Sequence, residues 1–171
     1  LYTRFITMTF YDAGLIDFEE PFEKFRAHGL LIRDGAKMSK SKGNVVNPDR
    51  YLDEFGADAF RMYLMFLAPF EAGGDFQDKG ILGVERFLNR VYRISGRFHS
   101  APAEKKGTGG ADAGFERLLH QTIRKVTEDI ETLRFNTGVS ALMIFLRACE
   151  ERAEISRRQY IIFLKLLAPF A

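Results

Sequence analysis

Apolar residues recur at helical spacing through most of this chain, and the clearest run is Phe115, Leu118, Leu119, Thr122, Val126, Ile130 and Leu133. Steps of three and four place such residues on one face of a helix. The pattern predicts helices over residues 115–133, 136–152 and 155–168, with Asn136 as N-cap of the second. Upstream, a long helix is expected over about 79–98 and shorter ones over 48–55 and 57–67, the latter stopped by Pro69. A truncated helix is expected over 1–14 and a short one over 21–27. Residues 29–33, Gly-Leu-Leu-Ile-Arg, read instead as a short buried strand that turns at Asp34-Gly35. Asn47, Pro48 and Asp49 suit the N-cap, first position and first turn of the next helix. Short amphipathic helices are unstable alone. The long helix and the last three should therefore pack as an antiparallel bundle. Leu-Ala-Pro-Phe occurs at 67–70 and at 167–170 with unmatched flanks, which marks a recurring helix stop and not an internal repeat.

A chain of 171 residues can bury one good core or two small ones. Its hydrophobic and charged fractions, 46% and 28%, are those of a globular protein, and the longest apolar run, residues 62–70, is too short to cross a bilayer. No membrane partner and no secretory signal are expected. The single cysteine, Cys149, excludes an internal disulfide and fits a reducing, cytoplasmic setting. Its spacing from Val139, Leu142, Met143 and Leu146 favours packing on an apolar helix face. Three scattered histidines and one cysteine offer no metal-ligand spacing, so no metal site is expected. Residues 99–114, rich in glycine and small side chains, read as a linker. The chain opens on leucine inside a helical pattern, as expected of a piece of a longer protein.

Net charge is only +2, but it is unevenly placed. Residues 86–106 hold six basic side chains against one acidic, whereas 112–134 hold four against five. Arg86, Arg90, Arg93 and Arg97 follow one another at steps of four, three and four, on a face apart from Val84, Phe87, Leu88, Val91 and Phe98. That stripe, roughly 16 Å long, is either a phosphate-contacting row for an RNA stem or an ordinary solvated helix face.

Residues 37–42, Lys-Met-Ser-Lys-Ser-Lys, put three lysines within six positions, followed by Gly43 and Asn44. No apolar period crosses the run, so it is expected to be a mobile surface loop between the strand and a capped helix. Ammonium groups, hydroxyls and free backbone N–H groups in such a loop suit polyphosphate. It is not a P-loop, because no G-x-x-x-x-G-K-[ST] occurs.

Lys37-Met38-Ser39-Lys40-Ser41 is the KMSKS signature of the class I aminoacyl-tRNA synthetases, which this chain resembles. The flanks agree: His28-Gly29-Leu30, Gly43-Asn44-Val45-Val46-Asn47-Pro48 and Phe55-Gly56-Ala57-Asp58-Ala59-Phe60-Arg61. Three segments are most similar to the leucine enzymes: residues 1–5 with 11–15, residues 18–22 and residues 134–143. A valine or isoleucine enzyme, or a non-catalytic tRNA-binding helical module, is the alternative. The resemblance implies a mainly α chain in which residues 1–76 are the C-terminal part of a Rossmann-type catalytic domain, with one short strand and the signature loop. Residues 77–171 would then be an anticodon-binding-type helical bundle. It implies ATP, with Mg2+, leucine and tRNA(Leu) as partners, together with the remaining catalytic and editing domains of the parent chain. Lys40 is the first choice for contacting the phosphates and Lys37 the second; Met38, Ser39 and Ser41 complete the ATP-binding loop. His28 either approaches adenosine or is structural. The His-x-Gly-His element of the family is missing, so this segment alone is expected to be inactive.

Overall fold

The computed structural model describes residues 1–99, 113–152 and 154–171. Helix α1 (Tyr2–Asp12) buries only Thr7. The helix expected over 21–27 does not form: the chain runs without regular structure to residue 30, and Phe22 and Phe25 stay exposed. Seven residues make too few hydrogen bonds to offset helix nucleation unless an apolar face finds a surface to cover. Among the described residues those two rings find none.

Strand β1 (Leu30–Arg33) turns back at Asp34 and Gly35, both at positive φ (53° and 70°), onto β2 (Ala36–Lys37). Two consecutive left-handed residues are what a two-residue hairpin requires. The register pairs Ile32 with Lys37 and Arg33 with Ala36. On its other edge β1 pairs in parallel with β3 (Gly73–Asp75), giving the order β2-β1-β3. A parallel pair needs a crossover, here supplied by α2 (Pro48–Leu67). Three strands thus stand where one buried strand was expected, and Leu30 and Leu31 of β1 are exposed within this chain. The glycines at 73 and 74 read as chain breakers, yet Gly73 is what admits β3: a Cβ there would lie 2.1 Å from the Leu30 carbonyl oxygen.

Helix α2 begins as expected, with Asn47 Oδ1 accepting from Asp49 N at 3.1 Å and Pro48 at the first position. It breaks at Gly56, whose φ and ψ (81°, 163°) are not helical, so the two expected helices are two arms of one kinked element. Then come α3 (Asp78–His99), α4 (Ala113–Glu131), α5 (Phe135–Glu150) and α6 (Arg157–Leu167). The linker expected at 99–114 lies outside the described residues except at its ends, which belong to α3 and α4. Helix α6 starts with a capping box between Ser156 and Gln159. Asn136 is not the N-cap of α5; Arg134 holds that position. Leu133 takes φ 59° to reverse the chain after α4, and Arg134 N donates to Asp129 O at 2.7 Å, which starts α5 one residue early.

Helix α5 is the centre, packed against α2, α3, α4 and α6. Its Val139, Leu142, Phe145, Leu146 and Cys149 are buried in one cluster with Ile81, Val84, Phe87 and Val91 of α3, and the cluster runs from Tyr51 to Phe170. Burial pushes the Cys149 thiol up to about 12, as expected of a packing residue with little thiolate character. The two Leu-Ala-Pro-Phe stops converge: Phe70 and Phe170 each meet Phe135 edge-on, at 6.4 and 6.3 Å. Asp129 is fully buried between α4 and α5. It accepts from Lys125, from Thr137 Oγ1 at 2.7 Å and from Arg134 Nε at 3.0 Å. Burial alone would raise its pKa; the three donors prevail and hold it below the usual carboxylate range. No sequence pattern singles Asp129 out, since its partners lie on both sides of a chain reversal.

Candidate functional site

The hairpin and α2 fix the two ends of the Lys/Ser run. Lys37 belongs to β2, so the signature starts on a strand and only its remainder is loop. Residues Lys40–Lys42 form a single 3-10 turn that ends at Gly43 with φ 67°. The turn is closed by Lys42 N to Ser39 O at 3.1 Å and Gly43 N to Lys40 O at 3.2 Å. Met38 is half-buried and packs against the core, tethering the loop from below. The Ser39 and Ser41 hydroxyls are hydrogen-bonded to each other at 2.8 Å.

Asn44 is the residue that sequence reasoning undervalued. Its Oδ1 accepts from Ser39 N at 2.8 Å, and its Nδ2 donates to Lys37 O at 3.2 Å. One amide side chain thereby staples both strands of the loop. The signal for it in the sequence is the Gly-Asn pair that closes the lysine run, a turn signature with local side-chain bonding.

The side chains on this frame point to anions. Lys37, Lys40 and Lys42 are exposed, and among the described residues none has a carboxylate within ion-pair distance. Exposed unpaired ammonium groups cost little while hydrated and can neutralise a polyanion that displaces that water. His28 contributes a structural contact: its Nδ1 lies 2.9 Å from Gly29 O, and its ring meets Phe70 edge-on at 6.2 Å.

The arginine stripe on α3 is divided. Arg90 makes a two-pronged pair with Glu150 at the end of α5, with Nε 2.9 Å from Oε1. That hydrogen bond, with the positive charges of Arg90, Arg93 and Arg97 around it, holds the Glu150 carboxyl below its ordinary range. Arg97 Nη1 donates to the carbonyls of Cys149 and Arg152 at 3.3 and 3.2 Å, capping the same helix end. Arg86 Nε bonds within its own helix, to Leu82 O at 3.1 Å, and Arg86 and Arg93 are exposed. Half the stripe therefore ties α3 to α5. Arg61 and Asp58 face each other at 3.9 Å on α2, away from the loop's own bonds.

A family model described as tRNA synthetases class I (I, L, M and V) matches residues 3–76, the part that carries the hairpin, loop and α2. Leucine--tRNA ligases of three Dehalococcoides mccartyi strains are each 44% identical across 99% of this chain, which spans 21% of their length. Among solved structures, an Agrobacterium radiobacter LeuRS in ternary complex with tRNA and LeuAMS superposes with a TM-score of 0.84 at 33% identity. That match covers 99% of this chain and 24% of the other. From the hairpin through the last helix, sequence and fold place this chain among the class I tRNA synthetases, with the leucine enzymes.

Proposed function

We propose that this chain works as part of a leucine--tRNA ligase, in which the loop from Lys37 to Asn44 meets the phosphates of ATP. In that reaction the carboxylate of leucine attacks the α-phosphorus of ATP, the bond to the bridging oxygen breaks, and pyrophosphate leaves. The leucyl group of the adenylate then passes to the terminal ribose of tRNA(Leu), releasing AMP. Charge builds on the phosphate oxygens as pyrophosphate separates, so positioned cations are the main requirement. The observation that carries this reading is the set of unpaired lysines on a frame stapled by Asn44. Lys40 leaves the 3-10 turn exposed and is assigned the phosphates; Lys37, held on β2, supports it. Ser39 and Ser41 keep the turn closed, and Met38 anchors it.

Among the described residues no three His, Cys, Asp or Glu side chains gather to hold a metal ion. Magnesium enters this reading with the ATP substrate. The exposed apolar side chains of the first 31 residues suit burial by the remaining catalytic domain: Phe5 is 70% exposed, Phe22 64% and Phe25 89%. The far greater length of the matched relatives supports such a partner. On the bundle, Arg86 and Arg93 are the stripe members assigned to tRNA phosphates, with Arg90 and Arg97 positioned mainly by α5. No helix among the described residues is long and apolar enough to cross a membrane, and a cytoplasmic enzyme of protein synthesis is the reading we adopt.

The test is leucine-dependent exchange of pyrophosphate into ATP by the complete enzyme. Lys40→Ala should lower the exchange rate about 100-fold or more, the scale of losing one transition-state donor. Unchanged exchange would overturn the assignment. Exchange driven by valine or isoleucine in preference to leucine would move the chain to a sister enzyme.

A further inference from the structure

Four consecutive residues, from the last of β3 to the first of α3, are gripped by the elements around the signature loop. Asp75 Oδ2 accepts from Gly35 N in the hairpin turn at 3.3 Å. Phe76 N donates to Ile32 O in β1 at 2.8 Å. Gln77 is held at both backbone atoms by the Tyr63 hydroxyl, which donates to its O at 2.8 Å and accepts from its N at 2.9 Å. Asp78, first residue of the bundle helix α3, accepts from the Tyr51 hydroxyl at 2.6 Å and faces Arg33 Nη2 at 3.6 Å.

The last of these contacts has a particular topology. Arg33 ends the strand that precedes the loop, and Tyr51 lies in the first turns of the helix that follows it. One carboxylate thus receives both flanks of the signature. We propose that Asp78 is a positioning residue, a clasp that sets the place of the signature loop from the first turn of the bundle helix. The inference rests on the loop's assignment to ATP phosphates.

The chemistry supports a clasp of unequal arms. Tyr51 is 3% exposed, and its ring is fixed by Phe60 at 5.7 Å and edge-on by Phe76 at 5.1 Å. Its hydroxyl therefore has a set direction, and a short bond to an ionised carboxylate is of the strong, charge-assisted kind. Burial, aided by the Asp78 charge, raises the Tyr51 pKa and keeps the hydroxyl protonated as a donor. The Arg33 arm is weaker, because the Asp78 side chain is 47% exposed and water screens the pair. At the N-terminus of α3 the carboxylate is further favoured by the helix dipole. A shift of that helix start, as when the bundle takes up RNA, would move both ends of the loop together.

The experiment uses the complete enzyme, with Asp78→Asn, Asp78→Glu, Tyr51→Phe and the Tyr51→Phe/Asp78→Asn double variant. Pyrophosphate exchange is measured over ATP and leucine concentrations, alongside thermal midpoints, with Lys40→Ala run in parallel. Expected are kcat/KM for ATP lowered about tenfold in Asp78→Asn and Tyr51→Phe, an unchanged KM for leucine, and partial recovery in Asp78→Glu. The double variant should be no worse than the worse single one, because both act on the same bond: Tyr51→Phe removes its donor and Asp78→Asn the charge that strengthens it. Wild-type values in the single variants, or losses matched by an equal rise in leucine KM, would overturn the clasp. If Lys40→Ala is impaired while Asp78→Asn and Tyr51→Phe are not, the clasp alone fails. If Lys40→Ala is silent, the phosphate assignment of the loop fails and the clasp falls with it.

Discussion

The signature loop and the α3 stripe are both short cationic runs with regular spacing, and the structure treats them in opposite ways. The loop's Lys37, Lys40 and Lys42 stand exposed, while its backbone is stapled by Asn44 and its one apolar side chain, Met38, is set into the core. On α3 the order is reversed: the backbone is ordinary helix, and the side chains of Arg90 and Arg97 are engaged with the end of α5. A fixed frame with free charges is suited to an incoming anion. A set of charges already opposed by Glu150 serves first to join two helices. Positive density along a sequence therefore says where a polyanion could go, but carboxylates and carbonyls from distant residues decide which charges remain available for it.

The sharpest way to break this contrast is at Lys40. Lys40→Ala should cost about 2.7–4 kcal/mol of transition-state stabilisation in the complete enzyme while leaving the thermal midpoint unmoved. A loss of folding instead of rate would mean that the loop lysine is structural after all. Next in size is Asp129, the most deeply buried charge in the molecule's described part. Asp129→Ala should cost roughly 3 kcal/mol in urea unfolding of the chain, since it leaves three donors without their acceptor beside a buried turn.

Arg90→Ala should cost about 1 kcal/mol, the scale of a well-formed, partly exposed pair. Acid provides the sign test. Glu150 and Asp129 are both held below their ordinary range in the folded chain. Their stabilisation is therefore complete above the unfolded carboxylate value of about 4 and is lost as pH falls through the lower folded values. Unfolding free energy should drop over that acid window, and Arg90→Ala should remove the Glu150 share of the drop. The smallest effect belongs to the exposed half of the stripe. Arg93→Ala and Arg86→Ala should leave stability within about 0.5 kcal/mol. Each should lower the slope of log affinity for tRNA against log salt by about 1. An unchanged slope would make Arg86 and Arg93 an ordinary solvated face and leave the stripe only its role in joining α3 to α5.

The same division separates what is legible in the residue order from what is not. Helical periods locate α2 to α6 to within a few residues, because an apolar stripe of that spacing has one stable use, to be buried. The signature and its flanks announce the loop and the family, and Asn47-Pro48-Asp49 announces the start of α2. The two short strands carry no such mark: Ala36 and Lys37 lie inside a polar run, and Gly73 and Gly74 have no side-chain pattern to follow. The helix expected over 21–27 has only Phe22 and Phe25 to recommend it, and neither meets a surface here. Asn136 resembles a cap by residue type, but the Leu133 turn and the bond from Arg134 N to Asp129 O set the start of α5 elsewhere.

By itself, then, the order of residues determined helices α2 to α6, the cationic make-up of the loop and the lineage of the chain. All of these are local: each depends on neighbours within a turn or on a contiguous string. Tertiary structure alone decided which arginines of α3 are tied to the end of α5 and which are not. It also placed a buried aspartate between α4 and α5 and brought both flanks of the signature to Asp78. Apart from Asp129, whose partners lie within eight residues on both sides of the Leu133 turn, these assignments join residues far apart in the chain, whose meeting depends on how the helices pack and not on any pattern either residue carries.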